Sequence, residues 1–158
     1  MNSSILLPDE QATERLGQRL ADALAAERSG WLLLLEGELG AGKSTLARAL
    51  LRQLGHTGAV PSPTYTLVEP YDLPGGFVYH IDLYRINGFE ELEYLGWEDL
   101  RDGLVIVEWP ERAPELAAEA DIRVQLGYAG DGRTAAVESL SSKAARILAK
   151  VELAGDIG

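Results

Sequence analysis

Cysteine is absent from this 158-residue sequence, and only two histidines are present. The absence of cysteine excludes disulfides, thiol nucleophiles and thiolate zinc sites, and two histidines are too few for a histidine-rich metal site. The longest apolar run, at residues 31–35, is far shorter than the roughly 18 residues that a membrane span needs. The first ten residues lack the basic and apolar regions of a secretory signal. These absences predict a cytoplasmic protein with no membrane segment.

Basic residues are also scarce. Lys and Arg number 14 against 25 Asp and Glu, which gives a formal net charge of -11, and only three of the basic residues are lysines. A protein that binds nucleic acid directly usually carries a basic stripe that replaces the counterions of the phosphates. No cluster of Lys and Arg occurs here. We therefore expect any nucleic acid to be reached through a protein partner.

The length and the remaining composition are typical of one globular domain. The hydrophobic content of 46% and the charged content of 25% are ordinary values for a soluble fold. A chain of this size buries about two thirds of its unfolded surface, so it needs no disulfide or metal to hold a core. We predict a single domain over residues 1–158.

Hydrophobic periodicity divides the chain into strand and helix segments. Leucines recur at helical spacing in residues 9–27 and 43–54, whereas residues 31–35 and 104–107 are unbroken apolar runs typical of buried strands. Further helices are predicted at 89–94, 97–100, 110–118 and 141–153, further strands at 65–69 and 77–83, and a hairpin at 122–128 with 135–140. This order predicts an α/β fold with a mixed sheet and helices on both faces.

A glycine-rich loop follows the first buried strand and leads into a helix. Residues 37–44, GELGAGKS, match the pattern G-x-x-x-x-G-K-[ST] in the strand–loop–helix context that the pattern requires. Glycines let successive N–H groups point inward around a phosphate, and the positive end of the following helix adds to the attraction. The pattern predicts that Lys43 binds the β- and γ-phosphates and that Ser44 ligates Mg²⁺. Otherwise the glycines only turn the strand into the helix, which leaves Lys43 unexplained.

Two carboxylates and one threonine are candidates for the catalytic groups of such a site. Glu108 ends a buried apolar strand in the manner of a Walker B acid, so it is our first candidate for holding magnesium, directly or through water. Asp82 ends another strand on the same face as His80 and Tyr84, where a carboxylate can position water or hold the metal. Thr64 follows the loop lysine at about the distance of the switch threonine in other nucleotide hydrolases.

Each of these interpretations has a structural alternative. Glu108 can be a solvated strand-end residue, the prolines beside Thr64 can define a turn, and Asp82 can serve packing. Arg133 follows the hairpin turn, where it either contacts a nucleotide or is a solvated strand-end charge. Residues 72–75 match the D-x-x-G pattern of GTPases, but the guanine-reading N-K-x-D pattern is absent, so we interpret them as a plain turn.

Several segments together indicate one family. The chain contains, in order, GELGAGKST, SPTYTLVEPY, YHIDLYR, ELEYLGWED and LVIVEWPE. In this order and spacing it resembles the small P-loop ATPases, called TsaE or YjeE, of bacterial tRNA threonylcarbamoyladenosine biosynthesis. The resemblance covers about residues 8–140. The loop pattern alone is shared by very many families, whereas the set SPT-Y-T, H-x-D-x-Y-R and V-E-W is far more selective.

The resemblance implies a fold, a cofactor and partners. The implied fold is the three-layer P-loop NTPase fold, an α/β architecture whose mixed, mostly parallel sheet is flanked by helices and carries an antiparallel hairpin. The implied ligands are ATP and Mg²⁺, with weak ATPase activity in the cytoplasm. That activity would support or reset a threonylcarbamoyltransferase and its pseudo-enzyme partner. The transferase modifies the adenosine that follows the anticodon, so tRNA would be reached only indirectly.

The resemblance also implies roles for individual residues. Those expected to bind the nucleotide phosphates are Glu38, Leu39, Gly40, Ala41, Gly42, Lys43, Ser44 and Thr45. Catalytic roles fall on Glu108, Asp82 and the switch-like Thr64, and magnesium ligation falls on Ser44 and Glu108. The family often has threonine at the position of Ser44, and either hydroxyl can ligate the metal.

Three further positions are implied by looser local matches. Glu10 and Gln11 correspond to a stretch that approaches the adenine in relatives, and Arg133 corresponds to a position near the nucleotide. Two other functions stay open on the sequence. A small-molecule kinase has a similar length and loop, but it usually adds a lid with several arginines, and no such segment occurs here. A nucleotide-gated interaction module with negligible turnover would have the same sequence features.

Overall fold

The computed structural model describes residues 2–24, 28–61, 63 and 67–150. The strands are β1 (Asn2–Leu7), β2 (Leu32–Glu36), β3 (Val68–Leu73), β4 (Gly76–Asp82), β5 (Leu104–Glu108), β6 (Ile122–Ala129) and β7 (Gly132–Ser139). The α-helices are α1 (Glu10–Leu24), α2 (Lys43–Gln53), α3 (Phe89–Tyr94), α4 (Trp97–Leu100) and α5 (Ser142–Leu148), with short 3₁₀ helices at Pro110–Arg112 and Pro114–Ala118. No helix in the described ranges has the length and apolar character that crossing a membrane requires.

The strands of the described residues form one sheet in the order β1-β7-β6-β2-β5-β4-β3. The four neighbours β6, β2, β5 and β4 are parallel to one another. Antiparallel pairs join β6 to β7, β7 to β1, and β4 to β3. Because parallel strands end at the same edge of a sheet, the residues that follow β2, β4 and β5 lie close together.

Alternate residues of the central strands face two helical layers. Leu33 and Leu35 pack in one core with residues of α1, α2 and α5, whereas Leu32 and Leu34 pack in a second core with residues of α3, α4 and the 3₁₀ segments. Burial on both faces explains why β2 reads as an unbroken apolar run. Ile106 belongs to the first core, so the same alternation in β5 places Glu108 on the face that α2 covers.

The predicted α/β fold, with its mixed sheet, its two helical layers and its hairpin, is confirmed. The sequence analysis does not predict β1, and it predicts one helix over residues 110–118 where two 3₁₀ segments occur. Pro110 and Pro114 each begin one of these segments, because proline suits a first turn but has no N–H to continue a helix. Pro74 and Gly75 form a plain turn between β3 and β4, as predicted. The predicted strand start at 65–66 and the helix end at 151–153 lie outside the described residues.

Candidate functional site

The glycine-rich loop lies between the end of β2 and the first residue of α2, as the sequence predicts. Gly40 and Gly42 have φ angles of 80° and 111°, in the left-handed region that side chains other than glycine rarely adopt. Gly42 is the N-cap of α2, and no side chain caps this helix end. The first N–H groups of the helix are therefore free of a side-chain acceptor, which favours binding of an anion.

Lys43 is folded back onto its own loop. Its side chain is buried, its ammonium donates to the carbonyl of Gly37, and its Nζ lies 3.4 Å from the centroid of the Trp109 ring. Burial lowers the pKa of Lys43, while the nearby carboxylates of Glu108, Glu111 and Asp82 oppose that shift. The charge is thus held at a poorly hydrated position by a carbonyl and an aromatic face.

Trp109, whose ring contacts Lys43, has a strained backbone conformation. Its φ and ψ are 59° and 48°, a left-handed conformation that costs a residue with a Cβ roughly 1–2 kcal/mol. Its ring packs edge-on against Tyr84 at a centroid distance of 5.0 Å. The sequence analysis predicts only that Tyr84 lies on the same face as Asp82. The packing of Tyr84 against Trp109 beside Lys43 is therefore a feature of the site that the sequence did not indicate.

The two predicted carboxylates lie side by side. Asp82 and Glu108 end the neighbouring parallel strands β4 and β5 and are directly paired in register. Both are buried, at 5% and 3% exposure. Asp82 Oδ1 accepts a hydrogen bond of 2.8 Å from the backbone N–H of Tyr84, which keeps this carboxylate at the end of its strand. Their burial excludes solvated strand ends, and a buried carboxylate is costly unless it is hydrogen-bonded or paired.

Glu108 joins the carboxylate pair to the loop and the helix. Its Oε1 lies 3.5 Å from the Ser44 hydroxyl, at the start of α2, and its Oε2 lies 2.5 Å from His80 Nε2. The predicted magnesium ligands, Ser44 and Glu108, are therefore brought together.

A cavity of about 310 Å³ unites most of the predicted residues. Its lining residues are Leu39, Gly40, Gly42, Lys43, Ser44, Thr45, Asp82, Tyr84, Glu108 and Trp109. Two other loop residues do not line it: Glu38 is exposed toward a neighbouring groove, and Ala41 is buried, with its N–H bonded to the carbonyl of Glu38. The predicted Thr64 lies outside the described residues.

A second cavity of about 270 Å³ lies on the other side of the loop and shares Gly40, Gly42 and Thr45 with the first. Glu10 and Arg133, which are predicted to lie near a nucleotide, line it, whereas Gln11 does not line it and is exposed on α1. The two cavities therefore adjoin each other at the loop.

Tyr128 is a contact of the loop that the sequence analysis missed. Its hydroxyl donates to the carbonyl of Leu39 at 2.5 Å, and the Arg133 guanidinium lies 4.3 Å from its ring centroid. Arg133 Nε and Nη2 also reach the carbonyl of Gly40, at 3.3 and 3.2 Å. The β6–β7 hairpin thus holds two successive carbonyls of the loop. The N–H and C=O of a trans peptide point in opposite directions, so the Gly40 N–H is directed away from Tyr128.

The protein oxygens suit a magnesium ion that arrives with phosphates. Among the described residues, no group of three or more His, Cys, Asp and Glu side chains is placed to hold a metal. Mg²⁺ in nucleotide sites is held by one or two protein oxygens together with phosphate oxygens and waters. Ser44 and the Oε1 of Glu108 can supply those protein oxygens, so the donor set fits this kind of ion.

The parallel central strands, the two helical layers and the glycine loop between β2 and α2 define a P-loop NTPase fold. Residues 7–137 match the family model described as threonylcarbamoyl adenosine biosynthesis protein TsaE. This match spans more than half of the chain, and the chain therefore belongs to the TsaE family. The family expected from the sequence motifs is confirmed.

Similar proteins support the same family and fold. A protein of Haemophilus influenzae named tRNA threonylcarbamoyladenosine biosynthesis protein TsaE is 43% identical over 131 residues, which cover 80% of this chain and 83% of that protein. A protein of the same name from Synechocystis sp. is 46% identical over 119 residues, covering 72% and 73%. The crystal structure of YdiB from Bacillus subtilis matches with a TM-score of 0.72 at 23% identity and covers 95% of this chain and 93% of that one.

Proposed function

We propose that the protein binds ATP with Mg²⁺ and hydrolyses it slowly, and that this activity supports or resets a threonylcarbamoyltransferase during tRNA modification. The observation that carries the proposal is the single cavity in which Lys43, Ser44, Asp82 and Glu108 meet at the end of a glycine loop. The names of the relatives place them in tRNA threonylcarbamoyladenosine biosynthesis, which supports the assignment of this pathway to the chain.

Binding would begin with the phosphates at the loop. Lys43 would exchange its contacts with Gly37 and the Trp109 ring for phosphate oxygens, and the uncapped N–H groups of α2 would donate to the same oxygens. The base would then lie in the second cavity, between Glu10 and Arg133. Glu10 and Arg133 already line that cavity, whereas Lys43 would have to turn away from Gly37 and the Trp109 ring to reach the phosphates.

Hydrolysis would use the two buried carboxylates. The metal, when bound with the nucleotide, withdraws charge from the phosphates. Ser44 and Glu108 Oε1 would hold that ion, and Asp82, beside Glu108 on the next strand, would orient the attacking water and accept its proton. Thr64 stays our prediction for the residue that closes over the γ-phosphate.

Turnover by the isolated chain is expected to be slow. Lys43 is the one Lys or Arg among the described residues that line the 310 Å³ cavity. An arginine that stabilises the transition state contributes about 10³–10⁵ in rate in related hydrolases, and none of the described residues that line this cavity is an arginine. We propose that the transferase and its pseudo-enzyme partner complete the site in the cytoplasm, and that tRNA is reached through them.

The experiment that tests the proposal reconstitutes tRNA modification from purified components. The transferase pair and tRNA are combined with ATP and the wild-type chain, with a Lys43→Ala chain, or with no chain, and the modified adenosine is counted per transferase. We expect many rounds of modification with the wild-type chain and few in the other two reactions. Equal modification without the chain would contradict the proposed role. Transfer of the γ-phosphate to a small metabolite would indicate a kinase instead.

A further inference from the structure

His80 is a buried residue of β4 to which the proposed function gives no role. It precedes Asp82 by two positions, so both side chains lie on the face of the sheet that carries Glu108. Its exposure is 2%, and its neighbour in register on β5 is Ile106, two residues before Glu108 and on the same face of the sheet. The imidazole therefore sits below the carboxylate pair, on the side away from the loop.

The contacts of Glu108 are divided between its two oxygens. Oε2 is 2.5 Å from His80 Nε2, and Oε1 is 3.5 Å from the Ser44 hydroxyl. Among the described residues these are the side-chain hydrogen bonds of this carboxylate. His80 thus makes a short hydrogen bond to Oε2. Oε1 faces Ser44, which is the other predicted metal ligand.

The same contacts indicate which ring nitrogen of His80 donates the hydrogen bond to Glu108. An ionised carboxylate only accepts hydrogen bonds, so Nε2 is the donor to Glu108. His80 Nδ1 is buried without a hydrogen-bond partner among the described residues. A buried N–H without an acceptor is more costly than an unused lone pair, so these contacts favour a proton on Nε2 over one on Nδ1. The contact therefore has one direction, from His80 to Glu108.

From this geometry we propose that His80 is a positioning residue, which fixes Glu108 Oε2 so that Oε1 points toward Ser44 and the metal-binding position. The inference rests on the proposed function, because it assigns His80 a role toward the magnesium that enters with ATP. Partners of this kind orient the carboxylates and imidazoles of metal sites, and their loss typically costs 10–100-fold in activity or metal affinity. Without His80, the Glu108 side chain would be free to turn away from Ser44.

The test compares two substitutions that differ in the hydrogen-bond donor. His80→Leu keeps the apolar bulk but removes the donor, whereas the amide nitrogen of His80→Gln extends to about the position of Nε2. ATPase kinetics and calorimetric ATP affinities are measured, the latter both with Mg²⁺ and with EDTA. For His80→Leu we expect turnover to fall 10–100-fold with little change in KM, and the affinity gain from Mg²⁺ to fall severalfold while the EDTA affinity is unchanged. His80→Gln should restore most of both losses.

A double substitution tests whether His80 acts through Glu108. In a Glu108→Ala background, which leaves His80 no side-chain acceptor at this position, the further change His80→Leu should reduce neither turnover nor the Mg²⁺-dependent affinity gain. If His80→Leu does not fold, His80→Asn replaces it, because its shorter amide does not reach Glu108.

Three outcomes would overturn the inference. Equal effects of Leu and Gln at position 80, or an effect that persists in the Glu108→Ala background, would make His80 a packing residue while the proposed function stands. A wild-type chain that binds no ATP would instead remove the proposed function and the inference together.

Discussion

Lys43 is the residue on which nucleotide binding most depends. Replacing it by alanine removes one or two charge-assisted contacts to phosphate, each worth roughly 1.5–3 kcal/mol. We expect the ATP affinity of Lys43→Ala to fall about 10–10³-fold in a calorimetric titration. Lys150→Ala is the matched control, because Lys150 is exposed in the turn that follows α5, and the affinity of this variant should equal that of the wild type. ATP binding by Lys43→Ala at the wild-type level would contradict a phosphate role.

The buried charge of Lys43 also has a cost in stability. Burial lowers the pKa of Lys43 below its usual 10.5, so the unfolded chain holds this proton more tightly than the folded chain. The cost is complete at pH values below the folded-state pKa and is relieved as the pH rises through that value toward 10.5. Lys43→Met should therefore be at least as stable as the wild type at neutral pH. Urea unfolding at increasing alkaline pH should show the wild type gaining stability relative to Lys43→Met, and a loss would contradict the shift.

Glu108 and Asp82 are neighbours with different expected roles. Glu108→Gln keeps the size and hydrogen-bonding capacity of the side chain but removes the charge, so it should keep the fold and bind ATP within about tenfold of the wild type while losing most hydrolysis. Single-turnover measurement of phosphate release, beside calorimetry, separates these effects. Asp82→Asn is the parallel variant. If Glu108→Gln hydrolyses ATP normally and Asp82→Asn does not, Asp82 alone carries the catalytic role.

Among the structural elements, the glycine loop and the β6–β7 hairpin act on each other. A Cβ at Gly40 would lie 2.6 Å from the Tyr128 hydroxyl oxygen and 3.9 Å from the ring carbon that bears it. Gly40→Ala therefore meets a clash in addition to its positive φ. Tyr128→Phe removes the clash but also the hydrogen bond to the carbonyl of Leu39.

These contacts predict a coupled pair of substitutions. We expect Gly40→Ala and Tyr128→Phe each to weaken ATP binding, the first more strongly, and the double variant to bind better than Gly40→Ala alone. Calorimetry on the four proteins gives the interaction energy. Strictly additive losses would show that the hydroxyl does not determine the shape of the loop.

The elements that the sequence predicts are those that carry their own local signal. The loop pattern, the unbroken runs of β2 and β5 and the short segments α3 and α4 each depend on adjacent residues. β1 does not, because its sequence begins with polar residues and its pairing with β7 is set by a partner more than a hundred residues away. Backbone pairing stabilises an edge strand without requiring apolar alternation.

The candidate site follows the same division. The pattern around Lys43 and Ser44 and the strand-end positions of Asp82 and Glu108 are visible in sequence, because motif and alternation are local. The contact between His80 and Glu108 requires the register of β4 on β5, and the contact between Tyr128 and Leu39 requires β6 to lie beside β2. Neither register is encoded in a single segment, so sequence reasoning does not reach them.

At the scale of the whole molecule, the acidic charge extends to the rim of the site. A groove of about 460 Å³ beside the loop carries Glu36, Glu38 and Glu111 together with the rings of Trp109 and Tyr128. The whole chain has a formal net charge of -11. The acidic groove therefore repels the phosphates of free RNA within about 8 Å, the range beyond which physiological salt screens exposed charges. The same surface is suited to basic side chains of a protein.

The charge and the missing arginine together predict which partner activates the protein. Steady-state ATPase is measured for the chain alone, with tRNA alone, and with the transferase and its pseudo-enzyme partner, each with and without tRNA. We expect slow turnover alone, no change with naked tRNA because nothing offsets its repulsion, and stimulation by the protein pair because a partner can bring a cation to the phosphates. Raising the salt concentration should reduce the stimulation, since it screens the attraction between the acidic rim and a basic partner. Fast hydrolysis by the chain alone, or stimulation by tRNA without protein, would contradict this prediction.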